Sequence, residues 1–199
     1  PPPNVSQSNF SPPQDITPTD TLRVYTKNAR LSTPERLTAL LHELQGAIWD
    51  VVLFSETRTA TGTYVLDNGA KLFASRGAQF ADGVAILVHK DIIPFVVRVE
   101  KLGGRLIFVD IRLQGYTVRL ISIYCPHAGY PFDDLKCLYG TLTGILHEAR
   151  QANFRIVLGG DFDTGLHTGD RGALLDEILQ DFRLQTANDP DNISFEERW

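Results

Sequence analysis

From Leu22 onward the chain divides into short apolar runs separated by polar, Gly- or Pro-containing joints. L-R-V-Y-T-K-N (22–28) alternates enough to predict a strand. Ser32-Thr33-Pro34-Glu35 carries a helix-start signal, with Glu35 three residues after Ser32 and Pro34 in the first turn. The helix that follows sets Leu37, Leu40, Leu41 and Leu44 at helical spacing and ends at Gly46. D-V-V-L-F-S-E (50–56) is apolar and β-branched and closes on a carboxylate, as a buried strand would. G-V-A-I-L-V-H-K (83–90), R-L-I-F-V-D-I-R-L (105–113) and T-V-R-L-I-S-I-Y-C-P (117–126) predict further strands. The last two are joined by Gln114-Gly115-Tyr116 in a hairpin-like connection. Residues 133–151 predict a helix of about five turns, with Leu135, Leu138, Leu142, Ile145 and Leu146 as its stripe. F-R-I-V-L-G-G is another strand, G-A-L-L-D-E-I-L-Q-D a helix, and R-L-Q-T-A-N-D a short strand or loop. Hairpins mixed with strand–helix–strand units predict α+β layers and not a purely parallel sheet.

Residues 1–20 break this pattern. They are rich in Pro, Ser, Asn and Gln, and bury too little apolar surface to offset their ordering entropy, so a disordered linker is expected ahead of a domain over 21–199. The whole chain has 199 residues, 43% of them hydrophobic, which is enough for a domain with a sizeable core. No apolar run approaches a membrane span and no signal peptide opens the chain. The two cysteines, Cys125 and Cys137, are too few for a disulfide framework or a zinc site and read as reduced intracellular thiols. The formal charge of −5 argues against a dominant phosphate-tracking surface. It still admits a nucleic-acid enzyme, because a bound divalent cation or an Arg cluster reverses the field locally. The absence of Met reads as a segment of a longer product.

The chemistry collects where the apolar strands stop. One ends at Lys27-Asn28, one at Ser55-Glu56, one at Tyr124-Cys125-Pro126-His127, and I-V-L-G-G-D-F-D (156–163) at Asp161-Phe162-Asp163. Each terminus offers a group able to bind metal or donate to phosphate, at positions that rigid strands hold and open loops expose. Singly, each has a plain structural reading: Asn28 as a turn or cap, Glu56 as a solvated strand end, Tyr124 as a half-buried aromatic. Gly159-Gly160 ahead of Asp161 is the strongest single signal, since paired glycines cost backbone entropy that an ordinary loop does not need.

In order, the segments N-A-R (28–30), S-E-T-R (55–58), G-V-A-I-L-V (83–88), I-Y-C-P-H (123–127) and L-G-G-D-F-D (158–163) resemble the endonuclease/exonuclease/phosphatase, or DNase I-like, superfamily. The S-E-T-R and G-G-D-F forms are most similar to endonuclease domains of LINE-like, non-LTR retrotransposons. The resemblance spans roughly residues 22–187. It implies a four-layered α/β/β/α sandwich whose last strands and closing Asp-His pair would lie beyond Trp199, so that this stretch alone would nick DNA poorly. It further implies Mg²⁺- or Mn²⁺-dependent hydrolysis of DNA phosphodiesters by a monomeric domain of a reverse transcriptase-associated polyprotein, intracellular and nuclear when acting on DNA. Glu56 and Asn28 match the metal-binding positions, Asp161 the residue that positions or deprotonates water, and Tyr124 a phosphate contact. His127 stands where Asn is commoner and can donate to phosphate. Asp163 stands where Asn is usual; ionised, it cannot donate and repels phosphate. It therefore recruits cation, is protonated by its neighbours' charge, or lowers activity. Two other readings remain open at this point: a superfamily phosphatase or deadenylase, and a non-catalytic relic or binding module of the same fold.

Overall fold

A computed structural model of the chain describes residues 21–29, 34–44, 46–77 and 82–187. The expected linker at 1–20, the Ser32 helix-start signal, Arg30 and residues 188–199 fall outside these. Nine strands form two sheets among the described residues. The first orders β1 (Val24–Asn28), β2 (Val51–Ser55), β5 (Gly83–Val88), β4 (Lys71–Arg76) and β3 (Gly62–Val65). The second orders β6 (Val96–Lys101), β7 (Leu106–Leu113), β8 (Tyr116–Tyr124) and β9 (Arg155–Asp161). Helix α1 (Pro34–Leu44) links β1 to β2, α2 (Phe132–Gln151) links β8 to β9, and α3 (Gly169–Asp181) follows β9.

Three apolar seams make four layers. Leu40 and Leu44 of α1, with Trp49, cover Val52 and Phe54 of β2 and Leu72, Ala85 and Leu87 beside them. Between the sheets, Val51, Leu53, Ile86 and Val88 meet Ile107, Val109, Ile111 and Leu120. On the far side, Phe108, Ile121 and Ile123 receive Leu135, Leu142 and Leu146 of α2 and Leu175 and Ile178 of α3. Period-two alternation sends neighbouring residues of one strand to different seams, so both faces of each sheet are apolar and buried. The expected α+β, four-layered α/β/β/α sandwich is what forms. α2 is also fastened by a charge: Arg119 on β8 is 1% exposed, pairs with Asp110 of β7 directly opposite it, and reaches Glu148 and the Ile145 carbonyl of α2.

The structure adds β3, β4 and β6, which the apolar runs did not announce. Residues 59–70 contain β3, and Asp67-Asn68-Gly69 turns the chain into β4, with Gly69 at φ 82°. The β7–β8 connection is one residue shorter than expected, since Leu113 pairs with Tyr116. Gly159 and Gly160 lie inside β9, as the F-R-I-V-L-G-G strand predicts, and Asp161 is its last residue. Gly160, at φ 139°, presses on β8: a Cβ there would sit 1.9 Å from the Ile123 carbonyl oxygen. Gly160→Ala is therefore expected to cost about 3 kcal/mol or more, read as a lowered urea midpoint. An unchanged midpoint would mean that β9 can move off β8 freely. No helix among the described residues is long and apolar enough to cross a membrane.

Candidate active site

Two parallel strand pairs build the site. β1 runs parallel to β2 with Asn28 level with Ser55, and β8 runs parallel to β9 with Tyr124 level with Asp161. β1 packs over β9 and β2 over β8, so all four chain ends emerge on one rim. A buried hydrogen bond from Ser122 Oγ to the Phe54 carbonyl, 2.9 Å, locks the sheets together just behind that rim.

Asn28 is the joint of the cluster. Its Nδ2 donates to Glu56 Oε1 at 2.8 Å and to Asp161 Oδ2 at 3.0 Å. Both amide hydrogens are thereby committed, and the oxygen is the polar atom Asn28 has left to offer. Glu56 sits just past β2 with φ 54°, a left-handed backbone that a non-glycine residue adopts at a cost of about 1–3 kcal/mol. The Thr57 amide, donating 3.0 Å to the Gly83 carbonyl, pins the chain immediately after it. Asp163 shares the left-handed conformation at φ 49°, and its backbone N–H donates to Asp161 Oδ1 at 3.1 Å. Each Asp161 oxygen thus holds one donor.

The electrostatics follow from this crowding. Burial raises the Asp161 carboxyl above the ordinary carboxylate range, and the charges of Asp163 and Glu56 add to the rise, against the donors from Asp163 and Asn28. Burial, with Glu56 next, also raises the Tyr124 phenol. It stays protonated at neutral pH and can donate. Arg105, just before β7, lies 5.1 Å from the centre of the Tyr124 ring and 5.1 Å from that of Tyr130, and pairs with Asp82 at 2.9 Å. Cys125, beside Tyr124, is fully buried, and burial pushes its thiol up to about 12, so it is chemically quiet.

Asn28, Glu56, Asp161 and Asp163 are thus brought together by hydrogen bonds or direct charge, with Tyr124 beside them. His127 lies on the same rim in the loop after β8; its ring meets Tyr130 edge to face at 4.5 Å. Arg105, Asp82 and Arg171 entered no sequence motif. Arg105 followed two glycines at a strand start, a pattern shared by many unremarkable turns.

The donor set suits a hard divalent cation. Two carboxylates and an amide oxygen are the ligands Mg²⁺ takes, and a cation would relieve the charge crowding that adds to the burial-driven rise at Asp161. Among the described residues no three His, Cys, Asp or Glu side chains converge tightly enough to hold a metal alone. Mg²⁺ does not ask for that, since it keeps several waters and takes substrate phosphate as a ligand.

Comparison with known proteins bears on the family and the fold. The chain belongs to the endonuclease/exonuclease/phosphatase family, whose model matches residues 23–194. Among solved structures it is similar to the endonuclease domain of TRAS1, a telomere-specific non-LTR retrotransposon, at 20% identity over 89% of this chain and 80% of that one, with a TM-score of 0.62. It is also similar to the AP endonuclease LMAP of Leishmania major, at 12% identity over 79% of this chain and 65% of that one, with a TM-score of 0.63. A third is D. rerio TDP2 in complex with a single-strand DNA product, at 14% identity over 79% of this chain and 64% of that one, TM-score 0.51. At such identities these likenesses speak for the DNase I-like fold. No curated protein matches the sequence.

Proposed function

We propose that the chain hydrolyses DNA phosphodiesters with Mg²⁺ or Mn²⁺, as the nicking endonuclease domain of a non-LTR retrotransposon-like polyprotein that acts on nuclear DNA. The observation that carries this reading is the Asn28 amide shared between Glu56 and Asp161, the latter 133 residues along the chain from Asn28. Family membership supports it, as do the similar structures: a retrotransposon endonuclease, an AP endonuclease and a DNA-bound TDP2.

Glu56 and the Asn28 oxygen would hold the cation. When bound, it would polarise a phosphoryl oxygen and offset the charge that grows there. Asp161 orients the attacking water and takes its proton; the raised affinity of its carboxyl for protons makes it a better base than a solvated Asp. Tyr124, kept protonated, donates to a phosphoryl oxygen, and His127 supplies a second donor on the same rim. Asp163 fixes Asp161 through its backbone N–H, while its exposed carboxylate opposes phosphate unless cation or proton neutralises it. That carboxylate is the one observation favouring the second reading, a non-catalytic module of the same fold.

Titrating Mg²⁺ while following thermal unfolding separates the two. Occupancy stabilises by mass action, about 2.7 kcal/mol at a hundredfold excess over Kd, and Glu56→Gln is expected to abolish the rise. Supercoiled plasmid is expected to be nicked slowly in Mg²⁺, with Glu56→Gln lowering the rate about 100-fold or more. Indifference to Mg²⁺ in both assays would favour the non-catalytic module. Nicking that survives Glu56→Gln would refute the site.

A further inference from the structure

His127 is held in an unusually defined way for an exposed residue. The loop from Pro126 to Tyr130 turns back on itself, with the Tyr130 amide donating 2.9 Å to the His127 carbonyl. Within it the Gly129 amide donates 3.0 Å to His127 Nδ1. A backbone N–H cannot accept, so Nδ1 must present its lone pair, and the single proton of the neutral ring resides on Nε2. Glycine makes the approach possible: a Cβ at 129 would fall 2.7 Å from His127 Cε1 and 3.0 Å from Nδ1.

The loop is clamped from outside by α3. Arg171 Nη1 donates 2.6 Å to the Pro126 carbonyl and Nη2 donates 3.1 Å to that of Tyr130. One planar guanidinium therefore spans both ends of the His127 turn, a task its rigid fork suits and a lysine ammonium does not. Tyr130 is braced in turn by Arg105, its ring 5.1 Å from that guanidinium.

We propose that Arg171 is a positioning residue: through the Pro126–Tyr130 turn and the Gly129 amide it fixes the orientation and the Nε2–H tautomer of the His127 ring, an N–H donor aimed at substrate phosphate. The phosphate as target rests on the nuclease reading above; the lock itself does not. It gives a physical reason for histidine at this place, since a fixed Nε2–H offers what an asparagine amide would offer, one directed neutral donor. It also couples the two halves of the rim, because α3 follows directly from the strand and loop that carry Asp161.

Long-range ¹H–¹⁵N correlation NMR of the imidazoles tests the lock without reference to activity, with His127 identified by the signal lost in His127→Gln. The expected result in the parent chain is a pyridine-like shift at Nδ1 and a pyrrole-like shift at Nε2. In Arg171→Gln, and independently in Gly129→Ala, both nitrogens are expected to move towards a tautomer average while the other histidine signals stay in place. A pyrrole-like Nδ1 in the parent, or an unaltered pattern in both variants, overturns the proposal. In plasmid nicking, Arg171→Gln is expected to lower kcat about tenfold or more with little change in KM, as misplacement of one group does. The same substitution should add nothing in a His127→Gln background; an additive loss overturns the route through His127. Failure of the nuclease reading would appear as Mg²⁺ indifference and Glu56→Gln insensitivity, results that leave the imidazole spectra unmoved.

Discussion

Asp161→Asn is expected to slow plasmid nicking about 100-fold or more and yet to melt no lower than the parent chain at neutral pH in the absence of Mg²⁺. The activity half follows from the role of base proposed above for Asp161. The stability half follows from the sign of the carboxyl's shift. Burial, then the charges of Asp163 and Glu56, raise its folded-state value above the unfolded one. The folded state then holds the proton more tightly, so the stabilisation is complete below the unfolded value of about 3.9. It is lost as pH rises through the raised folded value. At neutral pH the parent carries an ionised, crowded carboxylate that asparagine does not. The variant's Tm should equal or exceed the parent's at pH 7, and that advantage should disappear near pH 3, as scanning calorimetry across pH would read. A variant that melts clearly lower at neutral pH would assign Asp161 to the fold instead of the chemistry. Sites that perform chemistry commonly carry such destabilising crowding.

The largest loss of stability is expected from Arg119→Leu. Arg119 Nε and Nη2 meet the two Asp110 oxygens at 2.7 and 2.8 Å, and Nη1 meets the Ile145 carbonyl at 3.1 Å and Glu148 at 3.0 Å. The Phe108 ring lies 4.1 Å from the guanidinium carbon. Removing the arginine leaves Asp110, 2% exposed, without its partner inside the core. Breaking a buried pair from one side costs about 3–5 kcal/mol, or roughly 10 °C in Tm for a domain of this size. Asp110→Leu combined with Arg119→Leu should recover much of that loss, because the uncompensated charge goes with the pair. Arg119→Lys should not, since one ammonium cannot serve Asp110 in two places and the helix carbonyl as well. A single-variant loss below about 1 kcal/mol would show that water reaches Asp110 and that the pair is not sealed.

The layers were legible in the sequence because the core strands are nearly continuous apolar runs: V-V-L-F at 51–54, V-A-I-L-V at 84–88 and L-I-F-V at 106–109 each read as buried on both faces. β3 and β6 were harder for the same physical reason inverted. β3 is an edge strand whose Tyr64 and Val65 remain exposed, and β6 alternates Val with Arg and Glu, so neither carries the density of apolar residues that marked the others. The Asp67-Asn68-Gly69 turn was the signal that could have revealed the β3–β4 hairpin. In the site, Asn28, Glu56, Tyr124 and Asp161 stood out because each ends an apolar run. Arg105, Asp82 and Arg171 act through rings and carbonyls that come near only in three dimensions, and one arginine among many has no periodicity to betray it. Gly160 serves close contact with β8 inside the sheet, not a turn beyond it.

The hydrogen bond from Asn28 to Asp161 closes a sequence interval of 133 residues. On a ribosome adding 5–20 residues per second, the later residue follows the earlier by on the order of ten seconds. During that interval β1 and β2 can pair around α1, but the acidic joint of the site has no second carboxylate to hold. Such a separation also makes the closing contact one of the slower events in folding, because loop-closure entropy must be overcome before the contact rewards it. The rim is therefore a late-maturing part of the nascent molecule, and a chain released or broken before β9 carries no assembled acidic cluster.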